Sequence, residues 1–102
     1  MTTTTRRSIE SPKYQGVDER IAYTLTTTPW GSNPTSVSVV LKDPGGIDVS
    51  STKLTGSVGT AGDVITTPLV ISLASGSTYR LEIKFVCSGN TYEVWTEIVA
   101  EE

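Results

Sequence analysis

The residues of this chain that could do chemistry are few and poorly spaced for it. There is no histidine, so Ser-His-Asp and Cys-His arrangements and most zinc sites cannot be built. Glu93 and Glu97 share a parity in "TYEVWTEIVA". On a strand that sets them about 13 Å apart, too far for the paired carboxylates of a glycoside hydrolase. Asp43 and Asp48 bracket "DPGGID", but calcium asks for six to eight oxygens. These two carboxylates read as solvated flanks of a turn. "GSVGTAGDV" carries Gly56, Gly59 and Gly62, and a phosphate cradle needs a strand before the glycines and a helix N-terminus after them. A β-like segment follows instead, with no Lys-Ser/Thr pair, so the stretch reads as a mobile strand connector. Cys87 has no second cysteine to pair with and falls on an inward position after Phe85, as a small buried hydrophobe. No catalytic, metal-binding or cofactor-binding residue is assigned, no cofactor is expected, and the chain reads as a non-enzyme.

Two tryptophans suit binding better. Trp95 lies at an outward position between Glu93 and Glu97, with Lys84 expected opposite it and Val86 and Val99 nearby. Either it covers a lysine stem, as on many sheet faces, or it forms with Lys84, Val86 and Val99 a contact surface for another protein. Trp30, in "TTTPWG", follows a strand at a bend, where it is expected to close one end of the core, the alternative being to stack on a ligand.

The elements that must position these residues are strands. The chain has 102 residues, which is one domain. Apolar residues make up 36%, and the frequent threonines, being β-branched, take up part of the strand-forming role. A net charge of −3 argues against nucleic acid as a partner. No apolar run approaches the length of a membrane span, and "MTTTTRRSIE" lacks the apolar stretch of a secretion signal. Residues 1–12 read as a flexible arm and residues 13–102 as a single domain. After the arm, alternating segments are separated by turn residues, the pattern of an all-β sandwich.

Seven strands can be drawn. A weak one covers Lys13–Val17; the second faces Ile21, Tyr23 and Leu25 inward, and the third Val37, Val39 and Leu41. "DPGG" predicts a turn with Pro44 first and Gly45 at positive φ, followed by a short strand over Ile47–Ser51. The fifth, "VITTPLVISL", places Leu69, Ile71 and Leu73 on one face. Its Pro68, having no N–H, demands an edge or a bulge. The last two, "TYRLEIKFVC" and "TYEVWTEIVA", form a hairpin. A Gly89-Asn90 type II′ turn would pair Phe85 with Val94 and Leu81 with Ile98.

Leu73, then Tyr79 six residues on, then an alternating strand and a hairpin resemble the E–F corner of immunoglobulin-like and fibronectin type III sandwiches. The resemblance implies that the Tyr79 hydroxyl bonds to backbone a few residues upstream, with Leu73 packed beneath it. The expected fold is an antiparallel, immunoglobulin-like sandwich of about seven strands. More widely, the run from "SPKYQGVDERIAYTLTTTPWG" to "GNTYEVWTEIVAEE" resembles small phage and prophage proteins of immunoglobulin-like fold near the tail, some called fibre-tail adaptors or neck proteins. Asp18-Glu19-Arg20, Pro29-Trp30-Gly31, Asp48-Val49-Ser50, Tyr79-Arg80-Leu81 and Gly89-Asn90 carry it.

That likeness implies a structural virion part made in the host cytoplasm without a signal peptide. Its partners would be other virion or tail proteins, with no nucleic acid and no membrane; the isolated chain would be monomeric, with multimers open to it in an assembly. The Met start, the absence of a signal and the stop soon after the last strand fit a complete short reading frame. The alternative is a carbohydrate- or peptide-binding immunoglobulin-like module of a larger secreted or cell-surface protein.

Overall fold

Alternation of apolar and polar side chains over two long runs builds the centre of the fold. The computed structural model describes residues 13–101; the arm expected over residues 1–12 lies outside them. In chain order the elements are β1 (Lys13–Gly16), β2 (Thr24–Thr26), β3 (Thr35–Lys42), α1 (Ser50–Lys53), β4 (Leu54–Thr55), β5 (Gly59–Ala61), β6 (Val64–Thr66), β7 (Leu69–Val70), β8 (Thr78–Cys87) and β9 (Asn90–Glu101). One sheet has the order β1-β9-β8-β3 and a second the order β2-β6-β5; β4 and β7 form a separate pair, joined by one bridge from Val70 to Ile21, upstream of β2. The chain is an all-β sandwich. Taking β4 with β5 and β6 with β7 as interrupted lines, the described strands form seven. The sandwich is not antiparallel throughout, because β1 runs parallel to the end of β9.

The core fills the space between the sheets in two linked halves. Leu41, Val70, Leu73, Tyr79, Leu81 and Ile98 pack at one end, and Ile65, Ile83, Phe85, Cys87 and Val94 at the other. Buried Cys87 is part of this packing. Val37, Val39 and Leu41 of β3 and Tyr23 and Leu25 of the second strand all contribute to it.

Pro68 divides the fifth line in the middle of its sheet. Thr67 N–H donates to the Tyr23 carbonyl at 2.8 Å, while Tyr23 N–H donates to Thr67 Oγ1 at 2.9 Å. A threonine hydroxyl thus does the work of a ladder carbonyl beside the proline. Both Thr67 and Pro68 are buried, so the alternation changes phase. Val70 is buried at 0% exposure and Leu73 at 5%, whereas Leu69 and Ile71 are only half-buried. The single face expected for Leu69, Ile71 and Leu73 is therefore broken where Thr67 and Pro68 are buried in succession.

Three other local expectations are corrected. The positive φ after Pro44 belongs to Gly46, at 84°, and Gly46 N–H donates to the Asp43 carbonyl at 2.9 Å. This is a type I turn followed by a left-handed glycine. No strand covers Ile47–Ser51: one bridge joins Lys42 to Asp48, and α1 follows it. The glycine stretch is more than a connector, since β5 lies within it and pairs with β6.

Candidate functional site

The β8–β9 hairpin decides which side chains meet on the outward face. Cys87 pairs with Asn90, Phe85 with Tyr92, Ile83 with Val94 and Leu81 with Thr96. The turn is therefore Ser88-Gly89, with φ of 52° and 79°. Two left-handed residues make a type I′ turn, not the expected Gly89-Asn90 type II′. A shift of two residues preserves every face and changes every neighbour. The new register sets the Phe85 and Tyr92 rings 5.7 Å apart, a favourable aromatic pair.

On the outward face, Glu82 and not Lys84 stands opposite Trp95, and Lys84 faces Glu93. Val86 pairs with Thr91 and Val99 with Thr78, so the two valines sit at opposite ends of the hairpin. All four residues of the expected contact surface share a face; Lys84 lines a small hollow together with Trp95, while Val86 and Val99 lie toward the two ends of the hairpin.

What it gathers there is Arg80, whose guanidinium carbon lies 4.3 Å from the Trp95 ring centroid. A planar guanidinium on an indole face is favourable both electrostatically and by stacking. Arg80 Nε also lies 2.9 Å from Glu82 Oε2, and Lys42 Nζ lies 3.5 Å from Glu82 Oε1. Trp95 is half-buried as a result. Arg80, Glu82 and Lys42 were missed as site residues; their shared parity was visible, but their proximity depended on the turn.

Beside this cluster a hollow of about 590 Å³ is lined by Lys42, Asp43, Arg80, Glu82, Glu93 and Glu97, among others. Glu93 and Glu97 stand two pairs apart along β9, opposite Lys84 and Arg80. Among the described residues, no group of three or more His, Cys, Asp or Glu could hold a metal ion. Likewise, no helix among them is long and apolar enough to cross a membrane.

Three further residues have defined partners, two of them backbone groups and one a ring. Tyr79 is 2% exposed, and its hydroxyl accepts a hydrogen bond from Ala74 N–H at 3.0 Å. The bond reaches five residues upstream, with the hydroxyl as acceptor, and Leu73 packs in the same half of the core. Trp30 meets Phe85 edge-on at 5.9 Å, closing the far end of the sandwich. Asp48 Oδ1 accepts Ser50 N–H at 2.9 Å. Hydrogen bonds from the Ser50 side chain and backbone hold its carboxyl below the usual range.

Gln15 was not singled out by its sequence, being one polar residue on a weak strand. It is wholly buried. Its Nε2 donates to the carbonyls of Val70 at 2.8 Å and Glu19 at 3.0 Å, and its Oε1 accepts from the Tyr23 hydroxyl at 2.8 Å. One amide thereby fastens β1, on the first sheet, to the second. Burial, and secondarily the Glu19 carboxylate, push the Tyr23 phenol up to about 12.

No family model matches the chain, and neither a curated protein nor a solved structure matches it.

Proposed function

We propose that this chain is a non-catalytic assembly part of a phage or prophage particle, in its tail, neck or fibre attachment, acting through protein–protein contacts. The observation that carries the contact surface is the Arg80–Trp95 stack on the outward face of the four-stranded sheet. Tryptophan and arginine are the side chains most enriched among interface anchors. Here they are pre-stacked on a sheet, so little side-chain freedom remains to be lost on docking. The particle assignment is supported by the resemblance of Asp18-Glu19-Arg20, Pro29-Trp30-Gly31 and the other quoted motifs to small tail-proximal proteins, together with the sandwich fold. A second reading, a carbohydrate- or peptide-binding module, draws on the open hollow of about 590 Å³ beside the stack.

The test is to purify particles from the cells that make the protein and look for this chain by quantitative mass spectrometry. The wild-type chain is expected in them, and Trp95→Ala is expected to be depleted although it still folds. A particle fraction without the wild-type chain refutes the particle assignment. Normal incorporation of Trp95→Ala removes the stack from the contact surface.

A further inference from the structure

At the end of β3 the chain reverses through residues 43–48, and every backbone N–H from Asp43 to Ile47 is engaged. Asp43 N–H donates to the Ile47 carbonyl, and Gly46 N–H to the Asp43 carbonyl, each at 2.9 Å. Asp43 Oδ1 accepts from Gly45 N–H and from Ile47 N–H, each at 2.9 Å. Pro44 has no N–H to satisfy and a fixed φ. Immediately beyond, Asp48 ties down Ser50, whose Oγ accepts from Leu41 N–H at 2.9 Å. Asp43, Pro44, Gly46, Asp48 and Ser50 therefore each have a part in closing this turn.

Ile47 has none. Ile47 is 64% exposed, one residue past the turn that the Gly46 to Asp43 bond closes. We propose that Ile47 is an anchor that enters an apolar, basic-rimmed socket on a partner protein, with the turn over residues 43–48 as its rigid mount. The inference deepens the assembly reading above and rests on it.

Three features select that partner. A clamped backbone carrying a β-branched side chain has little freedom left to lose, so the apolar gain on docking is largely retained. The carboxylates of Asp43 and Asp48 flank Ile47 in the chain, favouring basic groups around the socket and opposing an anionic lipid surface. The turn is also one wall of the hollow that runs onto Arg80 and Glu82. The mount thus borders the outward face, and Ile47 adjoins that wall in the chain, an apolar point beside a polar margin, as in the core and rim of interfaces.

The test compares wild type, Ile47→Ser and Ile47→Leu, after thermal unfolding has shown the three to be equally folded. Incorporation into purified particles is read by quantitative mass spectrometry. Ile47→Ser is expected to fall at least about tenfold and Ile47→Leu to stay near wild type, a ratio that about 1.4 kcal/mol of lost anchoring supplies. Incorporation of Ile47→Ser at the wild-type level overturns the anchor and leaves the assembly reading standing. Absence of the wild-type chain from particles overturns the assembly reading and the anchor with it. Sedimentation of the purified proteins and flotation with phosphatidylserine vesicles complete the set. Self-association or vesicle binding that Ile47→Ser abolishes would assign the tip to a second copy or to lipid, and so overturn the proposed partner.

Discussion

Replacing Gln15 with Met tests whether one buried amide holds β1 to the sandwich. Methionine keeps the length and flexibility of the side chain but removes the donor to Val70 and Glu19 and the acceptor for Tyr23. Each lost bond is worth about 1 kcal/mol net, a starting figure of about 3 kcal/mol. The partners recover part of that. The Val70 carbonyl still accepts Ile21 N–H at 3.2 Å, Glu19 is exposed and its carbonyl can turn to water, and the Tyr23 ring is half-buried. The more apolar side chain returns a little more, leaving a net loss of about 2 kcal/mol. For a domain of this length that lowers Tm by about 10 °C and moves the urea midpoint with little change in slope. Hydrogen exchange supplies the local readout. Val17 N–H, which donates to the Glu101 carbonyl at 2.7 Å, should lose more protection than Ile83 N–H in the central sheet. An unmoved midpoint, or equal losses at Val17 and Ile83, would refute the claim that Gln15 fastens β1.

Tyr79→Phe is expected to cost about 1 kcal/mol, because the Ala74 N–H it strands lies on an exposed residue and can find water; an unchanged denaturant midpoint would remove the corner bond from the stability of the fold. Tyr23, whose folded pKa near 12 exceeds its unfolded value of about 10, contributes stability below pH 10 that is lost as pH rises through 12. Absorbance at 295 nm should therefore show one tyrosine ionising late, together with alkaline unfolding. On the acid side the sign reverses: the lowered Asp48 pKa gives stability above its unfolded value that is lost as pH falls through the folded one, and Asp48→Asn should flatten that limb. Ser88→Asn, which places a favoured residue at a left-handed type I′ position, should raise the urea midpoint by the equivalent of about 0.5–1 kcal/mol.

Which residues face the core was legible because parity in a strand is a strong signal. Leu81, Ile83 and Phe85 are buried as their alternation required, and a slip of one residue would have put Glu93 and Glu97 inside. Register in steps of two is not encoded that way. The turns at Gly89-Asn90 and Ser88-Gly89 bury the same side chains, and only the observed turn pairs Phe85 with Tyr92. The phase change at Thr67-Pro68 escaped for a related reason. Proline announced a bulge or an edge, but which residue fills the missing ladder position depends on Thr67 Oγ1 meeting Tyr23 N–H across two strands. Gln15 was illegible altogether, since its burial depends on Val70, 55 residues away, meeting the loop that brings Glu19 and Tyr23 back to it.

The same distinction bears on function. Strand residues answer to the fold at least as much as to a partner, and Trp95 illustrates the difficulty. Outward by parity, it is half-covered by Arg80, which is in turn held by Glu82, so the fold itself accounts for part of its presence. A partner docking there must either displace Arg80 or use the stack as it stands. Ile47 is different in kind, because the turn that carries it is completed by Asp43, Pro44 and Gly46 and would close equally well around serine. If selection for stability alone had shaped this turn, a polar residue would serve as well at the exposed position 47. An isoleucine on a fully hydrogen-bonded mount is therefore the place in the described chain where side-chain identity most exceeds what folding requires.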